Sequence, residues 1–205
     1  MKWYEKYLSV YGKPYADVSA EVMDGIRNRL RTLQSDEPLV SVVVIAYNEE
    51  KHLPACLWSL SESVCEYPME IIGVNNDSAD RTADVFEASG IPYHTELQHS
   101  CGYARRCGLQ YAQGKYYICI DSDTMYPPGY VQAMTDALQR PGIVAVSSLW
   151  SYMPDEGHPW LGLKIYEFMR DTHLWMQSFK RPELSVRGLV FAYNADYGRK
   201  VGYRV

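Results

Sequence analysis

The 205-residue sequence lacks most of the short signatures that would name a function at once. No GxG occurs, so the glycine fingerprint of a dinucleotide-binding fold is missing. No GxxxxGK is present, which excludes a phosphate-cradling P-loop. Neither HExxH nor GxSxG occurs, which removes the zinc-protease helix and the hydrolase elbow. No apolar run approaches the roughly 18 residues of a membrane span, and none follows Met1-Lys2-Trp3 as a secretory leader would. Positive charge is not in excess. Lys and Arg number 20 against 25 Asp and Glu, a net charge of −5, whereas a nucleic-acid surface is basic. Nucleic acid is therefore not an expected partner. The five cysteines (Cys56, Cys65, Cys101, Cys107, Cys119) are odd in number, contain no CxxC and lie among predicted helices and strands. They are expected to be reduced thiols of a soluble, cytoplasmic protein.

What is present suits one globular domain with a sizeable core: 47% hydrophobic and 22% charged residues. The 18 tyrosines are read as half-buried surface and strand packing. Val18, Val22, Ile26, Leu30 and Leu33 recur at helical spacing until Ser35-Asp36-Glu37-Pro38 stops them. Residues 1–38 are accordingly expected to be a helical N-terminal extension. Leu39 to Ala46 is a continuous apolar run rich in β-branched residues, suited to a strand buried on both faces.

Alternation follows. Leu53, Cys56, Leu57 and Leu60 trace a helix face; Glu70–Val74 reads as a strand, Ala79–Ser89 as a helix ended by Gly90, and Ile91–His94 as a short strand. Gly102–Ala112 reads as a helix whose end Gly114 marks. Tyr116–Ile120 is a strand, Pro127-Pro128-Gly129 opens a helix to Gln139, and Ile143–Trp150 is a strand. The pattern predicts an α/β fold, doubly wound and Rossmann-like: a mostly parallel central sheet with helices on both faces, over residues 39–150.

Ligands of such a sheet bind beyond the carboxyl ends of its strands. Three polar clusters sit there: Tyr47-Asn48-Glu49, Asn75-Asn76-Asp77 and Asp121-Ser122-Asp123. Two carboxylates two residues apart, where a strand gives way to a turn, can approach one hard cation such as Mg²⁺ or Mn²⁺. A solvated turn is the competing reading, since Asp and Ser are common turn formers.

The segments SVVVIAYNEEKHLPACLWSL, EIIGVNNDSADRT and GYARRCGLQYAQGKYYICIDSDTMYPPGYV, in this order, resemble the family 2 glycosyltransferases of the GT-A fold. The resemblance covers Val40 to about Trp150 and implies an inverting transfer from a nucleoside-diphosphate sugar. By the same resemblance Ala46, Tyr47, Asn48 and Glu49 line the nucleoside pocket. Asn76 stands where the family often has an aspartate on the base, Arg105 lies near the nucleotide, and Asp121 with Ser122 borders it. Asp121 and Asp123 would hold Mn²⁺ or Mg²⁺. The implied donor is UDP-linked and the acceptor a glycan or a lipid-linked group.

An inverting transfer needs a carboxylate base opposite the leaving group. In the family it follows a stretch that Gly188–Asn194 and Val201-Gly202-Tyr203 resemble, but no acidic pair comes after them here. Three readings stay open: the chain is part of a longer one, the base lies elsewhere, or the chain binds without transferring. No base is assigned. Residues 151–205 are expected to be the incomplete start of an acceptor-side region. Asp155-Glu156 reads as a solvated loop, and His52, His94, His99, His158 and His173 receive no metal role. Trp160–Phe179 has amphipathic helical spacing. A helix packed on the sheet or under the acceptor site is the expectation, with a membrane-surface helix as the sharper alternative. A nucleotidyltransferase would need a basic glycine-rich loop where Tyr47-Asn48-Glu49-Glu50 stands.

Overall fold

A computed structural model of the chain describes residues 2–155, 157–181 and 190–203. Its single sheet holds β1 (Val40–Ala46), β2 (Met69–Asn75), β3 (Tyr93–Thr95), β4 (Tyr116–Asp121), β5 (Ala145–Ser147) and β6 (Phe191–Asn194). The order is β3-β2-β1-β4-β6-β5. β1 pairs in parallel with β2 and β4, and β2 with β3, while β6 runs antiparallel to both β4 and β5.

Alternation along the central strands decides which helix packs where. Val40, Val42, Val44 and Ala46 join one core with side chains of α1 (Ala20–Leu33), α2 (Leu53–Ser61), α3 (Thr82–Ser89) and α5 (Tyr130–Leu138). Val43, Ile72, Val74, Tyr117 and Cys119 face the other way, against α4 (Cys101–Tyr111) and α7 (Ala195–Val201). Each fully buried aliphatic side chain is worth about 1.5–3 kcal/mol of transfer free energy. Ile26 and Leu30 of α1 are fully buried in the first core, so the N-terminal helix is part of the sheet's packing. Tyr117 stacks on Tyr193 inside the second, a strand-packing use of tyrosine as expected. All five cysteines are free thiols, and Cys56, Cys107 and Cys119 are buried.

Several expectations shift. α3 begins at Thr82, not Ala79, because Ser78, Asp80 and Thr82 are occupied in the preceding turn. The strand expected over 143–150 contracts to Ala145–Ser147. Among the described residues it lies at the sheet edge beside β6, and Ile143, Val144 and Leu149 stay exposed. α4 ends on Ala112 in extended backbone. Gly114 serves instead for close approach, since an added Cβ would lie 2.7 Å from Ser41 N. β6 and α7 had no periodic signal; Gly188 and Leu189, singled out from the sequence, lie outside the described residues, as does Glu156.

α6 (Trp160–Lys180) departs most. It does not lay its apolar face on the sheet: Leu161, Ile165, Phe168, Met169, Trp175, Met176 and Phe179 are each 53–73% exposed. Its opposite face is the one attached, through buried Leu174 and a set of polar contacts. Glu167 accepts from Tyr152 N (2.7 Å) and Lys164 Nζ (2.6 Å), and Arg170 donates to Trp150 O (2.6 Å). Among the described residues no helix is long and apolar enough to cross a membrane.

Candidate nucleotide and metal site

β1 lies between β2 and β4, so the winding reverses direction there, and a crevice opens at the carboxyl ends of these strands. A cavity of about 580 Å³ occupies it, lined by Ile45, Ala46, Tyr47, Glu49, Asn76, His99, Ser100, Cys101, Ala104, Arg105, Asp121, Ser122 and Asp123. The three polar clusters, far apart in sequence, thus meet in one wall.

Two loops of this wall are clasped together. The amides of Asn48, Glu49 and Glu50 donate to Ser78 Oγ (3.0 Å), Thr82 Oγ1 (2.8 Å) and Asp80 Oδ2 (3.0 Å). Asn48 adopts φ 56°, left-handed backbone that asparagine tolerates, and its Oδ1 accepts from Ala79 N (2.8 Å). Asn48 therefore braces the loop from behind and is not among the cavity-lining residues. Tyr47 stands at the rim, 50% exposed and edge-on to His99. Glu49 is held by His52 (Nδ1 to Oε2, 2.7 Å). Burial pushes its pKa up; the contact with His52 counters this, and Asp123 and Asp80 add to it.

Asn76 is at the cavity but its amide is committed. Nδ2 donates to Glu96 O and Gln98 O, both at 2.8 Å, and Oδ1 accepts from Ser100 N at 3.1 Å. What it leaves for a ligand is the second lone pair of Oδ1. Ser100 in turn caps α4, accepting from Tyr103 N.

On α4, Arg105 reaches across to β4, its Nη2 2.9 Å from Asp121 Oδ1, with side chains 16% and 30% exposed. Burial raises the Asp121 carboxyl pKa; Arg105 counters this and Asp123 adds to it, leaving a net upward shift. Burial also works against the Arg105 charge, but the facing Asp121 outweighs it. Among the described residues nothing accepts from the buried Arg105 Nε, which leaves this guanidinium a donor to spare. Ser122 is buried. Asp123 lies in the turn beyond, its Oδ1 accepting from Thr124 Oγ1 at 3.1 Å.

Among the described residues no three His, Cys, Asp or Glu side chains converge on one point for a metal. Two neighbouring carboxylates, one partly engaged by arginine, do fit a hard divalent ion whose remaining ligands are phosphate oxygens and water. Sequence reasoning missed Ile45, His99, Ser100, Cys101 and Ala104. A serine N-cap before Cys101-Gly102 was the one available signal for that loop.

Residues 41–195 match the family described as Glycosyl transferase family 2. The chain is 26% identical to validoxylamine A glucosyltransferase of Streptomyces hygroscopicus subsp. limoneus over 167 residues, 74% of this chain and 37% of that protein. Its fold is similar to that of mannosyltransferase PcManGT from Pyrobaculum calidifontis in complex with GDP-Man and Mn²⁺. The TM-score is 0.60 with 16% identity, over 98% of this chain and 59% of that one. It is also similar to glucosyl-3-phosphoglycerate synthase from Mycobacterium tuberculosis in complex with Mn²⁺, UDP-glucose and phosphoglyceric acid. Here the TM-score is 0.57 with 22% identity, over 85% and 61% of the two chains. The chain spans 30–42% of the length of the first three curated relatives. With the family match running from the first strand to the last, on a sheet shared with GT-A enzymes, the chain belongs to glycosyl transferase family 2.

Proposed function

We propose that this protein transfers a sugar, with inversion, from a UDP-linked donor to a glycan or lipid-linked acceptor in the cytoplasm, at the inner face of the membrane. The observation that carries the reading is the Arg105–Asp121 pair beside Asp123 at the mouth of the β1/β4 crevice. A diphosphate leaving group gains negative charge as the glycosidic bond breaks, and a site aimed at that charge lowers the barrier. Asp123, with the free oxygen of Asp121, would hold Mn²⁺ or Mg²⁺. When bound, the ion supplies positive charge against the departing diphosphate. Arg105 has a spare donor for a phosphate or ribose oxygen, Tyr47 offers a ring face at the rim for the base, and Asn76 Oδ1 can accept from a base edge. In this reading residues 39–150 form the donor half and residues 151–205 begin the acceptor half.

Calorimetric titration with UDP, GDP and CDP, with and without Mn²⁺, tests this on the wild type and on Asp123→Ala. Saturable, metal-dependent UDP binding abolished by Asp123→Ala is expected; absence of any nucleotide binding would sink the reading. Binding without donor turnover in the full-length natural protein would favour a nucleotide-sugar-binding module. The exposed α6 stripe supports a lipid-held acceptor: flotation with anionic vesicles should carry the protein, and Trp175→Glu should release it.

A further inference from the structure

The segment preceding α1 lies outside the family match, yet it reaches the acidic turn. It is anchored on α2 through one carboxylate. Tyr7 Oη donates to Glu62 Oε2 (2.9 Å), Trp58 Nε1 donates to Glu62 Oε1 (3.2 Å), and Lys6 pairs with the same group. The Tyr7 ring is fully buried and edge-on to Trp58, with ring centroids 5.6 Å apart. Met125, just beyond the acidic turn, packs on the cluster that Tyr7 forms with Val10 and Ala55. Gly12 N then donates to Lys51 O at 2.9 Å, fixing the segment against the loop after β1.

Tyr11 is held between these anchors. Its ring lies on His52, with centroids 4.8 Å apart, and His52 is the partner of Glu49 in the cavity wall. Its hydroxyl donates to the backbone oxygen of Asp123 at 3.2 Å. From within, the same turn is tied by Tyr126, whose Oη accepts from Asp121 N (3.2 Å) and whose N donates to Ser59 Oγ (3.1 Å). Tyr11 supplies a restraint on the outer side.

We propose that Tyr11 is a positioning residue for Asp123, and that the N-terminal segment is a strut joining the loop after β1 to the metal-binding turn. The proposal rests on reading Asp123 as the metal carboxylate. Past Asp121 the strand ladder has ended, and a carboxylate on an untethered turn must be ordered when it binds the cation. A backbone tether removes that cost in advance.

Tyr11→Phe keeps the ring on His52 and deletes the donor alone. UDP is titrated into wild type, Tyr11→Phe and Asp123→Ala at a series of Mn²⁺ concentrations, and Tm is measured for each. Tyr11→Phe should weaken Mn²⁺ binding, read as the Mn²⁺ concentration for half-maximal UDP uptake, by about threefold to tenfold, the range of one net hydrogen bond, with UDP affinity at saturating Mn²⁺ unchanged and Tm lowered by no more than about 2–4 °C. Tyr11→Ala, which also strips the His52 partner, should weaken it further. Wild-type Mn²⁺ affinity in Tyr11→Phe overturns the proposal, as does a loss of UDP affinity that saturating Mn²⁺ does not restore, which would mark general loosening. If Asp123→Ala binds Mn²⁺ and UDP like wild type, the metal-site reading itself has failed, whatever Tyr11 does.

Discussion

Gly25 in α1 and Gly108 in α4 are both interior helical glycines. Helix propensity alone says that alanine stabilises either by about 1 kcal/mol. Their surroundings separate them. At Gly25 a new Cβ first meets Arg29 Nη1 at 3.4 Å, the tip of a flexible side chain. At Gly108 it would lie 2.4 Å from Val43 Cγ1, 2.9 Å from Tyr117 Oη and 3.3 Å from Val74 Cγ2. Val43 and Val74 are fully buried on adjacent central strands, and their χ1 torsions are stiff. α4 must therefore move outward. Overpacking costs about 1–3 kcal/mol, and approaches as close as 2.4 Å to stiff side chains belong to the upper half of that range; against the propensity gain, Gly108→Ala should lose about 1–2 kcal/mol net. For a chain of this size that lowers Tm by about 2–8 °C, whereas Gly25→Ala should raise it by about 2–4 °C. Melting curves followed by circular dichroism give both signs in one experiment. Because Arg105 lies one turn earlier on α4 and Tyr117 Oη donates to its backbone oxygen, Gly108→Ala should also weaken UDP binding with Mn²⁺, and Gly25→Ala should not. A Tm for Gly108→Ala at or above wild type would refute the packing argument.

Two further outcomes follow from thiol and carboxylate environments. Cys101 is exposed in the cavity wall, whereas burial pushes the Cys119 thiol up to about 12 and the Cys56 thiol well above its usual value. At about pH 8 iodoacetamide should modify Cys101 first and Cys65 more slowly, sparing the buried three, and UDP with Mn²⁺ should protect Cys101. Equal rates at all five, or no protection, would contradict the placement of the site. For Glu62, burial pushes the carboxyl up, but the hydrogen bonds from Lys6, Tyr7 and Trp58 outweigh it and its pKa falls below 4.5. A depressed carboxyl contributes stability above its unfolded value that disappears as pH falls through the folded one. Urea melts between about pH 6 and pH 3.5 should thus show a steeper acid loss in wild type than in Glu62→Gln.

Much of this was legible in the sequence because long central strands and capped helices carry strong local signals. The run from Leu39 to Ala46 could be little other than a buried strand, and Gly90, at φ 72°, ends α3 as the residue type suggested. The acidic cluster was found for a related reason, since it interrupts an apolar strand abruptly. β6 left no such trace, because four residues pairing with strands remote in sequence show no periodicity of their own. α6 misled in the other direction. Its spacing was read correctly as helical, but periodicity reports which residues share a face and is silent on whether that face is covered. At the site, its place just after a strand could bring Asn76 to the pocket, yet only the folded structure reveals that its amide is engaged by two carbonyls.

β5 and β6 are direct ladder partners, with Ala145 opposite Tyr193 and Ser147 opposite Phe191. Among the described residues the polypeptide between them, α6 included, adds no further strand to the sheet. Such an excursion is a modular cassette: its length and sequence can change at small entropic cost without shifting the strands that carry Tyr47, Asn76 and Asp121. Under the proposed function, acceptor preference diversifies among close homologues by exchange of this single span while the donor half stays constant. A chimera that replaces the span and leaves nucleotide affinity untouched would be its direct demonstration.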